Sequence, residues 1–219
     1  MPRPRAADAA ETPRRIRSAA ISLFAERGFH GTGIRDIATQ AGVTLSSLYH
    51  HFGSKDDLLV DIMFTSTAPL KQAADQAYQA METPCRRLAM LIEQHVWEHV
   101  TDRLAKIVSD TEIRALSGER RDRVVGLRDS YENVWRTTVE EGVAEGVFTV
   151  SHPKALTIGL LEMCTAVSHW FQPSGDLTLP ELCHSYADGG LAMVRAARGG
   201  RPVRRVDLEI GEPTRFLVS

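Results

Sequence analysis

The chain has 219 residues, 43% of them hydrophobic and 25% charged, an ordinary globular composition that excludes disorder of the whole chain. No apolar run reaches the ~18–20 residues a membrane helix needs, and Met1-Pro2-Arg3-Pro4-Arg5 lacks the apolar stretch of a signal peptide, so a cytoplasmic protein with no membrane partner is expected. The net charge of −2 is unevenly spread: residues 1–55 hold 8 Lys/Arg against 4 Asp/Glu, the remainder 18 against 24, and a basic head on an acidic body suits a protein whose head alone meets phosphates.

In chain order, residues 1–11 are polar and Pro/Ala-rich and predict a flexible arm. Thr12 then caps a first helix with Pro13 in its first turn. Ile16, Ala19, Ala20, Leu23 and Phe24 form one apolar stripe at helical spacing, and Gly28 stops the helix. A short second helix carries Ile34, Ile37, Ala38 and Ala41 on one face, and Gly42 breaks it. Thr44 caps a third, with Leu45, Leu48 and Phe52 inward, ending at Gly53. Ser54 opens a fourth, with Asp57 placed to reciprocate the cap. The remainder is helical in pattern, with breaks near Pro69, Thr83-Pro84, Ser117-Gly118, His152-Pro153 and Pro173-Ser174-Gly175. A Gly/Arg/Pro-rich tail over 198–219 reads as loose. No period-two alternation demands a sheet.

Residues 32–52 thus place two short helices about a tight Ala41-Gly42-Val43 turn. That is the spacing of a helix-turn-helix, whose second helix enters the major groove. Its polar face would offer Thr44, Ser46, Ser47, Tyr49 and His50, short or flat hydrogen-bonding side chains that allow close approach to phosphates and base edges. Spacing alone fits an ordinary three-helix core with a polar outside equally well.

The residues themselves go further. Ala20-Ile21-Ser22-Leu23-Phe24-Ala25-Glu26-Arg27-Gly28-Phe29, then Gly31-Thr32-Gly33-Ile34-Arg35-Asp36-Ile37-Ala38, Ala41-Gly42-Val43-Thr44 and Leu48-Tyr49-His50-His51-Phe52-Gly53-Ser54-Lys55-Asp56-Asp57-Leu58 together resemble the TetR family of regulators over roughly residues 14–62. The resemblance implies an all-α fold. An N-terminal three-helix helix-turn-helix domain (12–53) would be joined to a helical ligand-binding and dimerisation domain (54–197). It implies DNA contacts from Thr44, Ser46, Ser47, Tyr49 and His50, and a phosphate contact from Lys55. Two departures bear on this: Gly33 stands where the family often has Ser or Thr, so a phosphate contact there is missing or passes to Thr32, and Ser46 stands where Gly is common.

Farther on, Arg128-Asp129-Ser130-Tyr131-Glu132-Asn133-Val134-Trp135-Arg136 and Glu140-Glu141-Gly142-Val143-Ala144-Glu145-Gly146-Val147-Phe148 resemble family members that control lipid, sterol or acyl-CoA breakdown. A repressor is implied, binding palindromic double-stranded operator DNA as a homodimer and released by an apolar or acyl-CoA-type effector; the alternative is an activator of the same fold. Candidate effector contacts are Met90, His95, Trp97, His99, Tyr131, Trp135 and Met163, each of which, taken singly, reads first as core. Arg114, Arg120, Arg121, Arg123 and Arg128 form either a solvated loop or the mouth for an anionic head group. The apolar helices over 154–171 and 180–196 are the expected dimer face, with Gly189-Gly190 allowing close helix approach.

A metal-binding regulator or an enzyme is a competing reading, since His95-Val96-Trp97-Glu98-His99 has the H-x-x-E-H spacing of some zinc peptidases and His95 and His99 share a helix face suited to a metal. No third ligand follows it, however. Cys85, Cys164 and Cys183 are odd in number and widely spaced, which suits neither a disulfide framework nor a CxxC site. No enzyme activity, metal or cofactor is expected.

Overall fold

The computed structural model describes residues 6–211, with side chains from Glu11 onward. The helices are α1 (Ala6–Arg27), α2 (Ile34–Gln40), α3 (Leu45–His51), α4 (Lys55–Ala80), α5 (Pro84–Thr101), α6 (Arg103–Glu112), α7 (Gly118–Ala144), α8 (Pro153–Thr165), α9 (Val167–Trp170) and α10 (Leu179–Met193). Single 3-10 turns occupy Ile113–Ala115 and Arg205–Leu208, and two-residue strands β1 (Ala197–Arg198) and β2 (Arg201–Pro202) pair as an antiparallel hairpin. The expected all-α class is therefore met. Among the described residues no helix is long and apolar enough to cross a membrane.

The chain forms two compact units. The first, the head, comprises the described residues up to Ser66 together with Leu104–Val125. Its core contains the expected stripe, with Ile16, Ala20, Leu23 and Phe24 packed with Ile37, Leu48, Leu58, Leu59 and Ile62. Val108, Leu116 and Val124, from a segment far along the chain, are buried in that same core. The head is thus larger than the expected 12–53, because α1, α2 and α3 need these side chains and the first part of α4 to close their apolar side. Two polar contacts accompany them. Lys106, only 4% exposed, donates from Nζ to the Ser66 carbonyl at 2.5 Å, and Arg120 donates to Asp57 at 2.8 Å.

Two other expectations change. α1 begins at Ala6, inside the expected arm, with Pro13 within the helix; the Ala-rich run before it favours helix. Residues 1–5 of that arm lie outside the described residues. α4 runs on through Pro69, where a break was expected. Pro69 removes one helical hydrogen bond, but Leu70, Ala73, Ala74 and Ala77 beyond it are all buried, and burying that stripe outweighs the lost bond.

The second unit comprises residues 67–103 and the described residues from 126 onward. Its centre is α5 laid against α10. Gly190 makes that approach possible: a Cβ there would fall 2.2 Å from Ile92 Cδ1. Of the expected Gly189-Gly190 pair, Gly190 therefore serves packing within the chain, while a Cβ on Gly189 would meet nothing within 4 Å. Trp135, Met90, Leu88, Leu160, Cys164, Cys183 and Leu191 are fully buried in this core. Burial raises the Cys164 thiol far above its ordinary pKa, so it behaves as a small apolar group.

The expected loose tail is a correction. Residues 197–211 fold back as the hairpin and 3-10 turn, with Val203, Leu208 and Ile210 entering the core. Arg205 donates from Nε to Glu93 on α5 at 2.7 Å; the Glu93 side chain is 0% exposed and that of Arg205 15%. The Arg205 amide also bonds Asp188 of α10 at 2.6 Å. Apolar residues hidden among Gly, Arg and Pro, together with a buried carboxylate needing a cation, order what composition alone reads as coil. The end of the predicted tail, 212–219, lies outside the described residues.

Candidate nucleic-acid interface and effector site

Three local devices build the α2–α3 turn. Gly42 adopts φ +63°, a region other residues rarely enter. A Cβ at that position would also lie 2.6 Å from Arg15 Nη2. Arg15 reaches from α1 to donate to the Ala41 carbonyl at 2.5 Å and the Gly42 carbonyl at 3.1 Å. Thr44 then caps α3, its Oγ1 accepting from Ser47 N–H at 3.1 Å, a bond of a kind typically worth about 1 kcal/mol. Leu48 is fully buried and anchors the inner face of α3.

The outer face of α3 is as expected. Thr44, Ser46, Tyr49 and His50 are exposed and Ser47 is half-buried. Tyr49, 46% exposed, is a large ring facing solvent. The Thr44 hydroxyl accepts the cap bond and keeps its own proton to donate. These side chains stand within two turns of one helix, a surface of the size that enters a major groove.

The flanking positions differ from expectation. Thr32 is 2% exposed, and its hydroxyl faces the carbonyls of Gly28 at 2.8 Å and Leu23 at 3.2 Å. It closes the end of α1 and does not face outward, so it is withdrawn as a DNA contact. Gly33 is exposed, but its N–H already donates to Asp36 Oδ2 at 3.3 Å. Lys55 is half-buried. Its Nζ donates to the Phe29 carbonyl at 2.8 Å and the Thr32 carbonyl at 2.9 Å, and stands 4.2 Å from the centroid of the Phe29 ring. Two of its three donors thus tie α4 to the α1–α2 turn. Asp57, two residues on, lies below the usual carboxylate range, held there first by the Arg120 guanidinium and then by the Ser54 hydroxyl.

In the second unit, four of the seven candidate effector residues come together. His95 on α5 shares hydrogen bonds of 3.0 Å with the Tyr131 hydroxyl through Nδ1 and with Thr165 Oγ1 through Nε2. The His95 and His99 rings stack at 3.9 Å, and Trp135 meets His95 edge-on at 5.6 Å. Tyr131 is buried, and that desolvation raises its phenol well above the usual range and keeps it neutral. Met90 is buried in the same apolar core, while Trp97 and Met163 pack at its edge. Both ring nitrogens of His95 are occupied and the two imidazoles lie parallel, an arrangement that does not converge on an ion. Among the described residues no group of three or more His, Cys, Asp or Glu is placed to hold a metal.

Sequence reasoning missed several residues here. Arg15, Thr165 and Glu112 emerge only from tertiary contacts. Gln94, 1% exposed, has no hydrogen-bond partner for either amide atom among the described residues, and burying such a group unpaired costs about 1–3 kcal/mol. Of the arginines weighed as an anion mouth, Arg120 engages Asp57 and Arg123 lies 5.4 Å over the Phe64 ring, both within the head.

Comparisons with known proteins agree with this geometry. Residues 16–62 match the family model of bacterial regulatory proteins of the tetR family, and residues 81–194 match that of the tetracyclin repressor-like C-terminal domain. The HTH-type transcriptional repressor KstR2 of Mycolicibacterium smegmatis is 28% identical over 83% of this chain and 90% of its own length. The fatty acid metabolism regulator protein of Bacillus subtilis is 27% identical over 60% of this chain and 68% of its own. AibR, crystallised with isovaleryl coenzyme A and operator DNA, superposes with a TM-score of 0.71 at 25% identity, covering 84% of this chain and 97% of AibR. With one model matched across the helix-turn-helix and another across more than half of its residues, this protein belongs to the TetR family of bacterial regulatory proteins.

Proposed function

We propose that this protein is a repressor that binds palindromic operator DNA as a homodimer and releases it when an apolar or acyl-CoA-type effector enters the second unit. The observation that carries the DNA half is the outer face of α3, where Thr44, Ser46, Tyr49 and His50 stand exposed around a fully buried Leu48. Ser47 and His50 read base edges in this scheme, and Tyr49 and the remaining Lys55 donor bind phosphates. Dimerisation through α8–α10 is supported by exposed apolar side chains there, Ile158 at 43%, Trp170 at 51% and Met193 at 38%. A short recognition helix gives modest affinity alone, and a two-fold dimer doubles the contacts on a palindrome. The protein acts where the chromosome lies, in the cytoplasm.

The effector class is supported by the apolar surroundings of His95, Tyr131 and Trp135 and by the unpartnered Gln94 amide, a hydrogen-bonding group suited to a ligand's polar atoms. The names of KstR2 and the fatty acid regulator, and the ligand held by AibR, point the same way. An effector acts only by preferring the DNA-free conformation. The test is binding of the full chain to labelled duplex from upstream of its own gene, in the presence of acyl-CoAs, free coenzyme A and fatty acids in turn. Release by acyl-CoAs is expected; release by a hydrophilic metabolite with none by the whole acyl-CoA panel overturns the effector reading. A monomer mass in sedimentation at micromolar concentration overturns the dimer.

A further inference from the structure

We propose that Glu112 is a positioning residue for DNA binding, acting through Phe29 on the Lys55 ammonium; the proposal rests on the reading of Lys55 as a phosphate contact. It begins with the end of α1. Gly28 adopts φ +71° and its N–H returns to the Phe24 carbonyl at 2.9 Å, the simple left-handed helix ending. That ending gives the next amide, Phe29 N–H, no acceptor within the helix. Phe29 is only 4% exposed, so water does not serve it. The acceptor is Glu112 Oε2, at 3.2 Å, from a residue 83 positions away at the end of α6.

The other side of Phe29 holds Lys55. The Phe29 carbonyl accepts from Nζ at 2.8 Å and its ring lies beneath the ammonium. One residue is therefore gripped by a carboxylate at its N–H and by a lysine at its C=O, and the grip fixes the turn on which two of the three Lys55 donors rest. The third donor points where this turn directs it. Release of Phe29 N–H lets the turn shift and takes the ammonium away from the line of the duplex backbone.

The electrostatic alternative makes the opposite prediction. A carboxylate in a DNA-binding head repels phosphates, so removing it should strengthen binding. The positioning role predicts that Glu112→Ala weakens binding in spite of the lost negative charge, whereas Glu112→Gln, which keeps an acceptor oxygen, does not. The measurement is binding of the full chain to a random-sequence duplex over a salt series, with folding of each variant checked by circular dichroism. Lys55→Ala and Glu112→Ala should each lower the magnitude of the log K against log salt slope by about 0.9 per subunit. The double variant should match Lys55→Ala alone. Amide exchange at Phe29 should be slow in the wild type and Glu112→Gln and fast in Glu112→Ala. An unchanged slope in Lys55→Ala removes the phosphate reading itself, and this proposal with it. A reduced slope in Lys55→Ala beside an unchanged one in Glu112→Ala, or fully additive losses in the double variant, overturns the role of Glu112 alone. Should Glu112→Ala fail to fold, loss of slope or of Phe29 protection in Glu112→Gln overturns it equally.

Discussion

The two units place their polar chemistry in opposite ways. The head keeps its proposed reading groups on the outside of α3 and fills the inside with Leu48, Ile37 and Phe24. The second unit buries its polar groups: Glu93, Gln94, His95 and His99 are all 5% exposed or less. A surface that meets a rigid duplex needs fixed spacing and no desolvation. A site that would recognise a small molecule from inside a core must tolerate costly buried polar atoms, each needing a partner.

The largest test of that contrast is Arg205→Met. It removes the guanidinium from the buried Glu93 carboxylate, and loss of one partner of such a pair costs about 3–5 kcal/mol, read as a fall in the denaturation midpoint. Replacing both partners, Glu93→Met with Arg205→Met, should recover most of the loss; a double variant as unstable as the single would show that the pair is not what holds the segment. In the head, Leu48→Ala should cost about 2–5 kcal/mol, while its neighbour Tyr49→Ala should stay within about 0.5 kcal/mol of wild type and still weaken DNA binding. Equal stability losses at the two positions would erase the distinction between inside and outside on α3.

Gln94→Met gives a smaller effect of opposite sign. Removing two unpaired amide atoms from the core should stabilise the ligand-free protein by about 1–3 kcal/mol and blunt its response to effector. A destabilised variant would mean that the amide is already satisfied. The smallest effect is the pH dependence carried by Asp57. Its carboxyl is held below the usual range by Arg120, so its contribution is complete above the ordinary value of about 3.9 and disappears as pH falls through the depressed one. Stability between pH 7 and 5 should not respond to Arg120→Ala through this pair beyond a constant offset. The wild type should lose that offset only at more acid pH, and since both side chains are more than 40% exposed solvent keeps it small.

The helix-turn-helix was legible because each residue there does a local job: Gly28 and Gly42 take left-handed backbone, Thr44 caps, and Leu48 and Phe52 point inward. The joining of Leu104–Val125 to the head was not, because Val108, Leu116 and Val124 look like any helical stripe and Glu112 meets Phe29 across 83 residues. Pro69 misled because a local rule yielded to burial on both sides of it. Composition hid the ordered 197–211 segment, whose three core residues are scattered among glycines and arginines. Thr32 and Lys55 show the limit of carrying a role over by position: the hydroxyl closes a helix end, and two of the ammonium's three donors hold a turn.

The Glu93–Arg205 contact also sets an order of events in synthesis. The two residues are separated by 112 positions, and a ribosome adding about 5–20 residues per second needs on the order of ten seconds to go from one to the other. During that interval α5 exists without the Arg205 guanidinium that sits against Glu93, so the nascent second unit cannot complete this ion pair. Closure of this part of the core therefore waits for the synthesis of Arg205, and a nascent chain stalled before Arg205 should remain sensitive to protease around α5.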